Sequence, residues 1–275
     1  MTVSISPIRR PLEALSHYTT LQGMIGIIEN GQFWASNVAY LNDREELLHG
    51  IKCAEKALDG AIKDTAILHW KEAISSVVRK VAEGKMPNTY ATCFCAKPDL
   101  LSQWRGYGGS EQGVSLRFEI SGLRNMLKGK KSFLVPVEYG MVSGKRSITQ
   151  VLKDELSRIE RDEFESFEIA DRDDKVYQVI SSLIPRFKHI GFEAELEWRF
   201  IAQHETLRDS ISFRANKNCI VPYMKIGEES GRLPLRSVYV GPGADTQLTA
   251  KSVENFLKAK GYDVPVYISK LPFRT

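Results

Sequence analysis

The chain opens with a short apolar–polar alternation over 12–20 that ends in Ser16-His17-Tyr18-Thr19-Thr20. Leu21, Met24, Ile25 and Ile28 then recur at helical spacing, so a strand hands over to a short helix. Thr20 supplies an N-cap oxygen and Asn30-Gly31 a stop signal. Phe33-Trp34-Ala35-Ser36 returns to strand. From Arg44 to Ala82, Leu47, Ile51, Ala54 and Leu58, then Ile67, Trp70, Ile74 and Val78, form helical stripes. Thr89 to Cys95 alternates as a strand, 102–109 reads as a helix end or a loop, and 113–118 resumes strand. Residues 133–139 read as another strand.

Two helices are expected over 147–187, the first strongly charged, the second marked by Val176, Val179, Ile180, Leu183 and Phe187. Short strands follow at 196–203, 210–214, 219–223 and 236–240, then a capped helix at 249–260 and a strand at 264–268. No repeat, low-complexity segment or Pro/Gly/Ser-rich linker interrupts this order. The pattern predicts one α+β domain over 1–275 with a split, mostly antiparallel sheet. Helical insertions are expected at about 44–84 and 147–187.

Composition changes this picture little. The 275 residues are 43% hydrophobic and 26% charged, enough for a sizeable core, and the net charge of +4 permits an anionic partner without demanding one. No apolar run approaches the roughly 20 residues that span a bilayer, and Met1 to Arg10 lacks the apolar centre of a signal peptide. Cys53, Cys93, Cys95 and Cys219 show neither disulfide density nor a C-x-x-C pair. Reduced core cysteines, no metal, no membrane partner and a cytoplasmic location are therefore expected.

Candidate chemistry concentrates in three places. In Phe192-Glu-Ala-Glu195-Leu-Glu197-Trp198-Arg199-Phe200, alternation puts Glu195, Glu197 and Arg199 on one strand face. Two carboxylates and a guanidinium on one edge can fix a sugar hydroxyl and stabilise a developing cation, although a solvated charged face gives the same pattern. His17 ends a strand before a tight turn, where a ring N–H can reach a ribose hydroxyl; a half-buried structural histidine reads the same way. Trp104, Arg105 and Tyr107, set among Gly106, Gly108 and Gly109, can stack a flat heterocycle and bring a guanidinium to a pyrophosphate. The competing reading there is a surface turn with one buried tryptophan. Asn42 or Asp43 can cap the helix that follows. Gly-x-Ser-x-Gly, His-Glu-x-x-His and Walker patterns are absent, and Gly241-Pro242-Gly243 lacks the residues of a phosphate loop.

As a set, these blocks resemble the bacterial family called domain of unknown function 2971 (DUF2971). The matching residues are His17-Tyr18-Thr19, Leu41-Asn42-Asp43 with Glu46, Ser102-Gln103-Trp104-x-x-Tyr107 and Gly113-Val114. Phe192-x-x-Glu195-x-Glu197-Trp198-Arg199, Val221-Pro222-Tyr223, Gly241-Pro242 and Ser269-x-x-Pro272-x-Arg274 complete it. More distantly, His-x-Thr before a short helix, an intervening aromatic and a late strand glutamate resemble the ADP-ribosyltransferase superfamily. That resemblance implies a split β-sandwich that binds NAD and breaks its nicotinamide–ribose bond through an oxocarbenium-like state.

Carried onto this sequence, it implies that His17 contacts the adenosine ribose and that the Tyr18 main chain holds the nicotinamide amide. Thr19 and Asn42 join the cofactor-binding set, and Tyr107 or Trp104 stacks the nicotinamide. Glu197 would bond the ribose 2′-hydroxyl and Glu195 orient the acceptor, with the choice of catalytic glutamate open. Arg44 or Arg105 would stand for the catalytic arginine of the toxin-like branch. A strand Ser-Thr-Ser is missing; Thr92-Cys93-Phe94-Cys95 occupies that neighbourhood. The implied function is an NAD-dependent ADP-ribosyltransferase, a toxin or antiphage effector acting on nucleic acid or protein, with a possible defence-system partner protein. An NAD glycohydrolase, an RNA-end phosphotransferase and a non-catalytic nucleotide-binding module are the alternatives.

Overall fold

A computed structural model describes residues 12–40, 49–53, 89–107, 112–127, 132–140, 184–203, 211–216, 219–228 and 231–272, with isolated positions at 56, 72–83, 150 and 154. Strand β1 (Ala14–Thr20) runs directly into helix α1 (Leu21–Asn30). Thr20 has the extended backbone of an N-cap, and its Oγ1 accepts the Gly23 N–H at 3.2 Å. The helix stops at Gly31, whose φ of 65° suits a residue without a Cβ and whose N–H closes on the Ile27 carbonyl. Met24, Ile27 and Ile28 bury one face of α1, each stabilising by roughly 1.5–3 kcal/mol.

Among the described residues there follow β2 (Gln32–Asn37), a 3₁₀ turn (Val38–Tyr40), β3 (Thr89–Cys95), α2 (Leu101–Tyr107), β4 (Gly113–Glu119), α3 (Ile120–Asn125), β5 (Ser132–Pro136) and β6 (Glu138–Tyr139). After them come β7 (Phe187–Lys188), a 3₁₀ turn (Ile190–Glu195), β8 (Glu197–Gln203), β9 (Ile211–Ala215) and β10 (Ile220–Gly227). β11 (Leu235–Val240), α4 (Thr246–Ala259) and β12 (Val266–Ile268) close the chain. Among the described residues ten strands share one sheet, antiparallel throughout except for the parallel pair β11–β12, while β6 and β7 pair separately. The protein is therefore α+β.

Three local expectations need correction. The helix expected to run through Phe187 gives way to a 3₁₀ turn at Ile184–Arg186 and then β7. Pro185, which has no N–H to donate, favours that break. Helix α3 was not expected, because six residues are too few to display a 3.6 period. β10 continues to Gly227, past its expected end. Of the expected insertions, residues 49–53 are helical, and most of 44–84 and of 147–183 lies outside the described residues.

The sheet forks at β3. On one edge β8 pairs it along its whole length, from Thr89↔Gln203 to Cys95↔Glu197. On the other edge β1 pairs only at Ser16↔Cys95, and β2 only at Ser36↔Ala91 and Asn37↔Tyr90. Between Ala91 and Cys95 the two strands diverge. β4, β11 and β12 continue from β1, and β10 and β9 from β2. Side chains replace the lost ladder bonds at the split. His17 Nδ1 lies 2.9 Å from the Cys93 carbonyl, and Thr92 Oγ1 donates to the Trp34 carbonyl at 2.6 Å. Phe33, Phe94, Phe118 and Phe200 form the core beneath the fork, with Phe33 edge-on to Phe94 and Phe118 at 5.4 and 5.0 Å.

Candidate functional site

The fork opens into a cavity of about 520 Å³, within the range of small-ligand and cofactor sites. Its walls come from the end of β1 and the start of α1, the middle of β3, one face of β2, and the turn before β8. His17, Tyr18, Thr19, Glu195 and Glu197, all singled out from the sequence, line it together.

A carbonyl only accepts, so His17 carries its proton on Nδ1 and leaves Nε2 as an acceptor. Burial lowers its pKa below the ordinary 6.5 and outweighs the bond to Cys93, so the ring is neutral at pH 7. Tyr18 offers the cavity its main chain. Its ring packs edge-on against Trp104 at 4.7 Å, and its hydroxyl donates to the Lys97 carbonyl at 2.9 Å. Past Ser16 the β1 edge towards β3 has no strand partner among the described residues. Gly23 and Gly26 give α1 a low profile on this side. A Cβ at Gly23 would collide with Thr19 Oγ1, whereas a Cβ at Gly26 would meet open space.

Glu195 is not on a strand, contrary to the alternation. It ends the 3₁₀ turn Ile190–Glu195, and Leu196 enters β8 in the left-handed region at φ 50°, ψ 45°. That conformation costs a non-glycine residue about 1–2 kcal/mol. Neighbours pin it: the Ala96 N–H donates to the Leu196 carbonyl at 3.0 Å, and the Cys95 thiol to the Glu195 carbonyl at 3.1 Å. The turn brings both carboxylates to one ammonium. Lys188 Nζ stands 2.7 Å from Glu195 Oε2 and 3.2 Å from Glu197 Oε2.

Glu197 is the more enclosed of the two. Arg199 holds it with two bonds, Nε to Oε1 at 2.7 Å and Nη2 to Oε2 at 3.1 Å. Burial opposes its ionisation, but the Arg199 and Lys188 charges and the hydrogen bonds from Arg199 and Cys93 hold the carboxyl down at about 2. The Cys93 thiol is pushed well up by burial and then by the Glu197 charge, so it stays protonated as a donor. A carboxylate has about four lone-pair sites, and these four donors occupy them. Glu195 is different: its side chain is 26% exposed, and Oε1 has no hydrogen bond among the described residues.

The other expected residues do not join the cavity. Trp104 is buried, and its indole N–H donates to Asp99 Oδ1 at 2.7 Å, so it braces Tyr18 and cannot stack a ligand. Arg105 is exposed near the end of α2 and does not line the cavity. Asn42, Arg44 and the Tyr107 side chain lie outside the described residues. Besides the buried Tyr18 and Phe94, the described aromatic rings at the cavity include Trp34 and Tyr40, which are 45% and 44% exposed. The cation opposite the carboxylates is Arg214, whose Nη2 donates to Ser36 Oγ at 2.9 Å. Trp34 had a sequence signal, since alternation in Phe33-Trp34-Ala35-Ser36 sets it opposite the core residues Phe33 and Ala35. Lys188 and Arg214 had none, because pairings between distant strands bring them in.

Residues 103–200 match the family described as "Protein of unknown function (DUF2971)". That stretch is similar to the DUF2971 family. The matched stretch contains Trp104, the β8 residues from Glu197 to Phe200 that pair β3, and the whole Lys188–Glu195–Glu197–Arg199 group. No match was found among curated proteins or among solved structures. Among the described residues no cluster of His, Cys, Asp and Glu could hold a metal ion, and no helix is long and apolar enough to cross a membrane.

Proposed function

We propose that the fork cavity binds NAD and that the protein is an NAD-dependent ADP-ribosyltransferase built on a split sheet. The observation that carries this reading is the layout of charge. Glu195 and Glu197 stand at one end of the cavity and Arg214 at the other. Glu197 is opposite Cys95 on β3, and Ser36, which holds Arg214, is opposite Ala91. Four residues of strand separate them, or roughly 13 Å. NAD carries the complementary pattern, with a cationic nicotinamide ring and an anionic diphosphate along one extended molecule.

In this reading Arg214 meets the diphosphate, where a guanidinium can offer paired donors. The neutral His17 accepts from the adenosine ribose through Nε2. The unpaired β1 edge at Tyr18 holds the nicotinamide amide, as exposed strand backbone is suited to do. Glu195 is the substrate-facing carboxylate: its free Oε1 accepts the nicotinamide ribose 2′-hydroxyl and faces the oxocarbenium as it develops. Glu197, with its lone pairs filled, is a positioning residue that sets Lys188 and through it Glu195. This reverses the roles that the resemblance alone implies for the two glutamates.

Calorimetric titration of the intact protein with NAD tests the binding step. Saturable binding that Arg214→Ala and Glu195→Gln weaken is expected. The absence of binding to protein that gives a cooperative unfolding transition contradicts the proposal.

A further inference from the structure

The face of β2, β10 and β9 that continues from the cavity has a composition suited to one class of acceptor. Register places Trp34 and Ser36 of β2, Val221, Tyr223 and Lys225 of β10, and Ser212 and Arg214 of β9 on this one face. Trp34 stacks on Tyr223 at 4.5 Å with 28° between the rings and still leaves 45% of its own surface exposed. Lys225 sits directly opposite Trp34 and is exposed, as is Arg214. Tyr40 adds a second half-exposed ring at the cavity rim. Among the described residues the face therefore carries rings and two cations and no carboxylate, although the carboxylates lie just inside the cavity.

Rings on an open sheet flanked by cations suit unstacked bases joined by phosphates: the bases stack and the cations meet the backbone. A folded protein acceptor would instead need a rim of mixed charge and donors. The geometry points to a base of single-stranded nucleic acid, stacked on Trp34 at the cavity mouth, as the acceptor of the ADP-ribose. This rests on the proposed NAD reading. A nitrogen of the base forms the new bond to C1′ of the nicotinamide ribose. The bond from C1′ to nicotinamide breaks and its electron pair leaves on nicotinamide, while the proton displaced from the base passes to Glu195.

The test measures fluorescence anisotropy of the intact protein with a labelled single-stranded DNA, an RNA of the same sequence and the DNA duplex, alongside NAD titration of the same samples. Single strands are expected to bind more tightly than duplex, and the DNA and RNA arms show which sugar is preferred. Trp34→Ala should weaken single-strand binding roughly 5- to 150-fold, the effect of losing one stacked base. Trp34→Phe should restore most of it. Lys225→Ala should reduce the salt slope by about 1 and leave NAD affinity unchanged. Equal binding of duplex, or no loss in Trp34→Ala, overturns the proposal. So does label transferred to protein by a sample that binds NAD but no oligonucleotide, and in that case the NAD reading stands. Binding of single strands through Trp34 without NAD binding removes the NAD reading and the transfer step, and leaves only the nucleic-acid surface.

Discussion

Glu195 and Glu197 meet on the same ammonium, Lys188 Nζ, at 2.7 and 3.2 Å. They are not equivalent, because Arg199 adds two bonds to Glu197 and none to Glu195. Removing the Glu197 charge takes from Arg199 the carboxylate that two of its N–H groups meet and from Lys188 one of its carboxylates, both cations being nearly inaccessible. Glu197→Gln should destabilise the protein by about 3–5 kcal/mol, the usual penalty for breaking a buried pair. Glu195→Gln loses one partly exposed contact and should cost about 1 kcal/mol or less. Urea unfolding of the two variants checks this, and equal losses would refute the division of roles.

The same pair sets an acid dependence. The Glu197 carboxyl titrates at about 2 when folded, against 4.5 ordinarily. A depressed carboxylate contributes stability that is complete above about pH 4.5 and is lost as pH falls towards 2, on the order of 3 kcal/mol here. His17, held neutral by burial, adds a contribution that is complete above about pH 6.5 and declines below it. Unfolding free energy measured from about pH 7 down to about pH 3 should fall in two steps. The lower step should be absent in Glu197→Gln.

Gly26 offers a way to fill the cavity without disturbing the fold. A side chain there meets nothing nearby and replaces glycine inside α1. Gly26→Ala should raise stability by roughly 0.5–1 kcal/mol. Gly26→Met should keep that gain while its longer chain enters the space beside Ile27 and Thr92 and excludes ligand. Thermal unfolding with NAD titration checks both halves, and full NAD affinity in Gly26→Met would place the ligand elsewhere.

Trp104 should behave as a brace. Trp104→Phe leaves Asp99 without the indole donor and should cost roughly 1–3 kcal/mol. NAD affinity should stay within about twofold, whereas loss of a stacked base would remove roughly 1–3 kcal/mol of binding. The variant's denaturation midpoint and its NAD dissociation constant separate the two.

Where local chemistry decides, the sequence was readable. β1 and α1 fall where Thr20 and Gly31 cap them, and β3, β4 and β11 follow their alternation to within a residue or two. His17, Thr19 and the glutamates were recognisable as a site because residue type and spacing mark them. Glu195 was misplaced because a left-handed Leu196 breaks the period between two residues of one apparent strand. Of the stacking and buried readings of Trp104, the structure bears out the buried one, and the sequence could not choose because the partners Tyr18 and Asp99 lie in different parts of the chain. The fork itself was unreadable in detail, since it depends on where β1 and β2 stop pairing with β3, and no short window encodes that.

The most direct measurement is nicotinamide release and label transfer when the purified protein is incubated with labelled NAD and cell lysate, beside Glu195→Gln shown to be folded. The account predicts release and labelling by the wild type and loss of both in Glu195→Gln. Release without labelling would make the site an NAD hydrolase. A folded wild-type protein that releases no nicotinamide and labels nothing would contradict the central claim.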